Sequence, residues 1–392
     1  MIYSDFFTKI LKNARQDNTY RHFTNISRIC GKFPKAINNQ NGQEVTVWCS
    51  NDYLSLGQNV YTIDKAILSL KKFGIGSGGT RNISGTSGEI VNLEKKLAKL
   101  HDKDSSLVFT SGYVANEATI TAISKIIPNL IIFSDEENHA SILSGIKNSR
   151  LEKHVFRHND INHLEELLKQ FDVNQPKLII FESVYSMSGD FGKINEICSL
   201  AKKYHAMTML DEVHAVAIYG KNGSGRANEV GAHNEIDIIQ GTLGKGFGVF
   251  GGYISSDEKT IDAIRLTASP FIFTTSLPPV IAGSSLENIM FLENNPSVIT
   301  DFHQVVKKTK KILKEYNIDI TDNASHIIQL VIGDPQRTKD ICQILLEDYN
   351  IYLQNIGYPT VKKGGDMFRI TPSRLHSEEM IYHLARSLKE VL

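Results

Sequence analysis

Lys245 sits in a glycine-dense run, Gly241-Thr-Leu-Gly-Lys-Gly-Phe-Gly-Val-Phe-Gly-Gly-Tyr253, and upstream of it stands Asp211-Glu-Val-His214. A lysine amine condenses with an aldehyde, and an aspartate can keep a pyridinium nitrogen protonated. Together they point to pyridoxal phosphate chemistry, in which the cofactor is the electron sink and the protein supplies the lysine and its acidic partner. The same stretch excludes a nucleoside triphosphate site. A P-loop needs Gly-x-x-x-x-Gly-Lys followed by Ser or Thr, whereas Ile239 stands at the first glycine position here and Gly246 follows the lysine.

Such residues need a scaffold that brings them to one place. From about residue 105, short apolar runs alternate with longer amphipathic stretches. The candidate strands are Leu107–Phe109, Leu130–Phe133, Leu178–Phe181, Thr208–Leu210, Ile236–Ile239 and Val249–Ile254. Several lack period-2 alternation, as expected of strands buried on both faces of a mainly parallel sheet. The stretches between them are helical in pattern; Ile197, Leu200, Ala201 and Tyr204, for example, share one face. The rhythm predicts an α/β fold covered on both sides. In open α/β sheets ligands bind beyond the carboxyl ends of strands, and polar groups follow five of the candidate strands: Thr110 to Tyr113, Ser134 to His139, Ser183 to Ser186, Asp211 to His214, and Lys245.

Beyond about residue 290 the pattern changes to a Lys-rich helix over 298–316, then the apolar runs Ile327–Ile332 and Ile351–Leu353. Three regions are expected: an N-terminal segment 1–48 lying along a partner subunit or the large domain, a catalytic domain 49–290, and a small α+β domain 291–392. The 392 residues carry a formal net charge of zero, so no net field draws the chain to nucleic acid or anionic lipid. No apolar run approaches the ~20 residues of a spanning helix. Cys30, Cys49, Cys198 and Cys342 are scattered, with no Cys-x-x-Cys pair, which fits reduced thiols rather than a zinc site. The N-terminus has no signal-peptide or transit character. The expected setting is a bacterial cytoplasm, or a mitochondrial matrix for a processed eukaryotic chain.

Gly76-Ser-Gly-Gly-Thr-Arg-Asn-Ile-Ser-Gly-Thr86, Asp211-Glu-Val-His214 and Gly241-Thr-Leu-Gly-Lys245 resemble the α-oxoamine synthases. These are fold-type-I pyridoxal phosphate enzymes, aspartate aminotransferase-like in architecture, that condense an amino acid with an acyl-CoA. Tyr20-Arg-His-Phe23, Thr46-Val-Trp-Cys49, Asn51-Asp-Tyr-Leu54, Phe181-Glu-Ser-Val-Tyr-Ser186 and Phe271-Ile-Phe-Thr-Thr-Ser-Leu-Pro-Pro279 extend the likeness over nearly the whole chain. The resemblance implies that Lys245 binds the cofactor and serves as general base, that Asp211 pairs with the ring nitrogen, and that His139 stacks on the ring. It also places His214 at the ring hydroxyl with Ser186 nearby. The phosphate would lie at Ser111, Gly112 and Tyr113, small residues between a strand and a helix, with Thr242 from the same subunit and Thr274 or Thr275 from a neighbouring one.

By the same resemblance Arg369 holds the amino acid carboxylate with Asn51, a task suited to the planar guanidinium fork. Arg21 meets the carboxylate of a succinyl thioester, with Thr80, Asn82, Ser134 and Thr360 completing that pocket. The helix start Ser87–Asn92 departs from the family, which usually has a larger polar stretch with a histidine there. The implied reaction joins glycine to succinyl-CoA and releases CoA and carbon dioxide, giving 5-aminolevulinate for tetrapyrrole synthesis, in a homodimer whose site is shared between subunits. Two alternatives stand beside it. Another member of the family would use acetyl-CoA with glycine, or a longer thioester with alanine or serine, but an apolar acyl tail leaves Arg21 without a partner. A non-catalytic partner subunit of the same fold would be expected to lack Lys245.

Overall fold

The apolar runs become strands buried on both faces. The computed structural model describes residues 2–392. Its seven-stranded sheet comprises β1 (Ser105–Phe109), β2 (Ile131–Asp135), β3 (Lys153–Phe156), β4 (Lys177–Glu182), β5 (Met207–Asp211), β6 (Ile238–Thr242) and β7 (Gly252–Ser256), in the order β1-β7-β6-β5-β4-β2-β3. β6, β5, β4, β2 and β3 pair in parallel, while β7 runs antiparallel to both β6 and β1. β1 therefore points the same way as the parallel strands, and their carboxyl ends share one edge.

Alternate residues of each strand supply opposite cores. Ile132, Leu178, Ile180 and Met209 pack with Ala115, Ile120 and Ile142 on one face; Ile131, Phe133, Ile179, Phe181 and Leu210 pack with Ile197 and Leu200 on the other. This is the period-2 geometry of a strand read through an unbroken apolar run. Helices enter the sheet through side-chain caps. Ser87 accepts from Ile90 N–H at the start of α1 (Gly88–Leu100), Ser111 from Val114 N–H at α2 (Gly112–Ile126), and His139 from Ser141 N–H at α3 (Ala140–Ser149).

Three sequence expectations shift. β3 is missing from the candidate strands because it is a half-exposed edge strand that begins with Lys153 and shows no apolar run. β7 starts at Gly252 rather than Val249, since the preceding residues turn through Gly248 at φ +71° and Gly251 at φ +126°. The N-terminal segment does not stand apart. Glu44–Val47 pairs in parallel with Ile351–Tyr352, so the residues up to Ser50 form one compact unit with 187–189 and 302–392, and the remainder, 51–186 with 190–301, forms the other.

The first of these units is built on two small sheets. One orders Ile26–Arg28, Lys35–Asn38, Glu44–Val47 and Ile351–Tyr352; the other orders Ile328–Val331, Met367–Ile370 and Asn355–Ile356. Trp48, Leu313, Phe368 and Leu384 lie in its core. His376 is buried there, with its ring centroid 3.8 Å from that of Trp48. Its Nδ1 accepts from Ser373 N–H at 2.8 Å and its Nε2 donates to the Val47 carbonyl at 3.1 Å, an arrangement that requires the neutral ring. Among the described residues, no helix is long and apolar enough to cross a membrane.

Burial holds His376 neutral and lowers its pKa from 6.5 to about 4. The unfolded chain takes up a proton that the folded ring resists, so this contribution to stability is complete above about pH 6.5 and is lost as the pH falls towards 4. The expected loss is roughly 3 kcal/mol, about 1.4 per pH unit over that window. Urea unfolding at pH 7 and pH 4.5 should show it, and His376→Gln should flatten the difference; an unchanged slope in the variant would remove His376 as its source.

Candidate active site

Of the strands that point the same way, all but the edge strand β3 deliver a functional group at the carboxyl end. β1 leads into α2, whose Gly112 and Tyr113 line a cavity of about 220 Å³. His139 follows β2, Glu182 closes β4, Asp211 closes β5 and Thr242 closes β6, with His214 and Lys245 in the loops beyond. All of them meet on the cavity wall.

Asp211 is 3 % exposed. Its Oδ2 accepts from Asn116 Nδ2 at 2.7 Å and its Oδ1 from Val213 N–H at 2.8 Å. Burial raises its pKa above the ordinary carboxylate value, against the pull of these two donors and of His139 and Lys245. Glu182 is also buried, and its pKa is driven well up by desolvation and by Asp211 beside it. Its Oε1 accepts the backbone N–H of His139 at 2.5 Å, which fixes where His139 leaves the strand. Glu212 serves a different end: it accepts from Ser183 Oγ and from the N–H groups of Arg226 and Ala227, anchoring a separate turn.

Lys245 Nζ lies 2.6 Å from His214 Nε2, and His214 Nδ1 lies 2.7 Å from the Tyr53 hydroxyl. Tyr53 in turn donates to Asn51 Oδ1 at 3.2 Å. Its oxygen is then the acceptor for His214 Nδ1–H, which leaves Nε2 to accept from Lys245. The loop carrying the lysine is held by Thr242, whose hydroxyl donates to the Gly251 carbonyl at 2.9 Å and accepts from Gly244 N–H at 3.2 Å. Close packing of β7 on the start of α2 needs Gly252, because a Cβ there would overlap the Ser111 carbonyl and the Gly112 nitrogen.

These residues fit pyridoxal phosphate. Lys245 offers an amine to its aldehyde. Asp211, whose ionised form is disfavoured by burial, is matched by a protonated ring nitrogen. The N-terminus of α2 offers N–H groups to a phosphate. Asn116 Oδ1 adds a buried acceptor with no hydrogen-bond partner. Among the described residues, no group of His, Cys, Asp and Glu could hold a metal ion.

Other expected residues lie elsewhere. The Ser111 hydroxyl is taken by its cap. Ser134 is buried within β2, where it accepts from Asn138 Nδ2 at 2.9 Å, and Ser186 lies in the loop closed by the Val184–Phe191 bridge. Thr80 bridges Thr275 in antiparallel fashion and donates to Asn82 Oδ1 at 2.7 Å. Thr274 lines a small pocket with Arg81 and Phe271. Arg81 braces the glycine-rich loop through two bonds to Glu94, at 2.7 and 2.9 Å, and one from Nε to Thr86 at 3.2 Å. In the other compact unit Arg21 donates to Thr360 Oγ1 at 3.0 Å beside a cavity of about 580 Å³ that Tyr20, His22, Tyr358 and Lys363 also line. Arg369 lies on Met367–Ile370 at 7 % exposure, so it is no surface ion-pair residue.

Tyr53, Asn116, Ser141, Glu182 and Val213 stand at the site without a role among the expectations drawn from the sequence. Asn116 is one turn after Gly112 and shares its helix face; Glu182 and Tyr53 sit inside stretches already singled out.

Residues 43–388 match the family aminotransferase class I and II. The chain is similar to 5-aminolevulinate synthase of Rickettsia prowazekii (strain Madrid E), with 46% identity over 389 residues covering 99% of this chain and 94% of that protein. The enzyme of the same name from Rhodobacter capsulatus is 46% identical over 393 residues, covering 99% and 96%. Among solved structures, a serine palmitoyltransferase from S. paucimobilis with PLP and myriocin bound superposes with a TM-score of 0.92 at 26% identity, covering 100% of this chain and 98% of that one. The chain belongs to the class I and II aminotransferase family and, within it, to the 5-aminolevulinate synthases.

Proposed function

We propose that the protein condenses glycine with succinyl-CoA to give 5-aminolevulinate, CoA and carbon dioxide, using pyridoxal phosphate held at Lys245. The observation that carries this reading is the meeting of Lys245, Asp211 and His139 in one cavity of a chain that is 5-aminolevulinate synthase-like over its full length. Bound pyridoxal phosphate supplies an electron sink for negative charge at the glycine α-carbon. Asp211 pairs with the ring nitrogen and His139 packs on the ring. His214 serves the ring hydroxyl with Ser186 nearby, and Ser111, Gly112, Tyr113 and Thr242 serve the phosphate.

Lys245 Nζ takes a proton from the glycine α-carbon, and the His214–Tyr53–Asn51 chain keeps that nitrogen in place. Arg369 and Asn51 hold the glycine carboxylate. Arg21, with Thr360, Thr80 and Asn82, holds the distal carboxylate of the thioester; Ser134, buried in β2 with its hydroxyl bonded to Asn138 and to the Asp135 carbonyl, is not part of that pocket. A bond forms between the glycine α-carbon and the thioester carbonyl carbon as the carbon–sulfur bond breaks and CoA leaves as its thiolate; the glycine carboxylate then leaves as carbon dioxide, and the α-carbon keeps that electron pair and takes up a proton.

The working unit in this reading is a homodimer with Thr274 or Thr275 reaching the neighbouring cofactor. Ile75, Ile83 and Phe273 support it, being large apolar residues at least 80 % exposed near Thr80 and Thr275 in sequence. Its bacterial relatives support a cytoplasmic setting.

Purified protein given pyridoxal phosphate should gain a visible absorption band and release 5-aminolevulinate from the two substrates. Lys245→Ala should lose the band and roughly 10²- to 10⁴-fold in kcat, the scale of a general base. Binding of the cofactor without release of product by the wild type would refute the reading. A second comparison tests the acyl carboxylate. Arg21→Leu should raise the KM for succinyl-CoA by about 10- to 100-fold, the scale of a charge-assisted hydrogen bond, and leave the poor turnover of acetyl-CoA unaltered. A preference for succinyl-CoA that survives this substitution would remove Arg21 from its role.

A further inference from the structure

Asn116 is 1 % exposed and lines the cofactor cavity from the second turn of α2. Its Nδ2 donates twice, to Asp211 Oδ2 at 2.7 Å and to Ser141 Oγ at 2.9 Å. Charge fixes the orientation of the amide, because the flipped rotamer would set Oδ1 against the Asp211 carboxylate. Ser141 carries the pattern onward. Its Oγ lies 2.8 Å from His139 Nδ1, and that nitrogen also accepts the Ser141 backbone N–H at 3.2 Å. With an N–H already directed at it, Nδ1 is an acceptor, so the Ser141 hydroxyl donates to it and the ring of His139 carries its proton at Nε2. One side-chain amide thereby reaches both Asp211 directly and His139 through a single hydroxyl.

We propose that Asn116 is a positioning residue of the cofactor site, its amide holding Asp211 in the ionised state while tying the His139 ring to it through Ser141. The inference rests on the reading that Asp211 and His139 serve bound pyridoxal phosphate. Its physical content is directional. A carboxylate accepts from an N–H donor and a neutral carboxylic acid does so far less well, so the amide favours the charged form that a protonated ring nitrogen needs. Asp211 is also faced by His139 from the loop after β2, Glu182 at the end of β4 and Lys245 from the loop after β6, with His214 on the same cavity wall. All four are common to the two Asn116 variants below, so a change in the direction of pH dependence between them belongs to position 116.

Two near-isosteric substitutions should act in opposite directions. Asn116→Leu removes the donor, raises the pH at which Asp211 takes up a proton, and should weaken pyridoxal phosphate binding most on the acid side, roughly tenfold near pH 6, the scale of one charge-assisted hydrogen bond. Asn116→Asp keeps a donor while its added carboxyl is protonated, so binding should approach that of the wild type in acid and weaken as the pH rises and two like charges meet. Ser141→Ala should leave the acid side of binding close to that of the wild type while moving the His139 ring nitrogen resonances, read by 15N NMR of histidine-labelled holoenzyme with His139→Asn as the assignment control. Asn116→Leu should move both.

Affinity measured by cofactor fluorescence across pH decides the matter. Opposite pH trends for Leu and Asp support the inference, and parallel trends overturn it, because loss of packing alone weakens binding equally at every pH. A wild-type protein that fails to bind pyridoxal phosphate at all would instead strike down the functional reading beneath it.

Discussion

A carboxylate buried at the edge of a parallel sheet is the constraint on which this site depends. Taking an ionised group out of water is expensive unless it is paired and hydrogen-bonded, and Asp211 is buried at the end of β5 between Glu182 of β4 and Gln240 of β6. The surroundings answer with two N–H donors, from Asn116 and Val213, and with His139 and Lys245 close enough to favour the charge. Glu182 works against it, since two carboxylates so near one another are not both readily ionised. The balance leaves Asp211 raised above its ordinary value and therefore suited to a cationic partner. The same apolar packing that makes the sheet stable creates this demand for positive charge, so fold and cofactor preference have one physical origin.

The large sheet was readable in the sequence for that reason. Runs such as Leu178–Phe181 are apolar on every residue because alternate side chains enter different cores, and a glycine-rich loop with a lysine after β6 completes the pattern. Lys245, Asp211, His139, Gly112, Tyr113, His214 and Thr242 were all identifiable and share one cavity. What escaped notice follows a different logic. β3 is an edge strand with little apolar content, and the pairing of Glu44–Val47 with Ile351–Tyr352 joins distant parts of the chain that no local pattern connects. Asn116, Ser141 and Glu182 act through hydrogen bonds to other side chains or to backbone, and polar residues on helices and strand ends carry no signature until their partners are known.

The glycine-rich loop shows how a flexible composition is made rigid. Arg81 grips Glu94 with both arms, lies 5.3 Å from the ring centre of Phe271, and Glu94 also accepts from Val108 N–H on β1. Ser276 closes the other side by donating to the Gly85 carbonyl, and Gly85 has no room for a Cβ between Gly79 and Ser276. Thr80 and Asn82 are thus presented from a braced loop, and Arg81 serves its structure.

The placement of β7 has a consequence for how the chain comes to be folded. Among the described strands β1 pairs only with β7, and β7 lies beyond residue 250. On a ribosome, the strand that leads into α2 is therefore made long before its partner in the sheet, while β2, β4, β5 and β6 can already assemble beside one another. Pairing of such high sequence separation is slow, and the exposed edges that await it are prone to association. The strand that runs against its neighbours, one in from the edge, is thus the last of the sheet to be made, and β1 completes its pairing only after it.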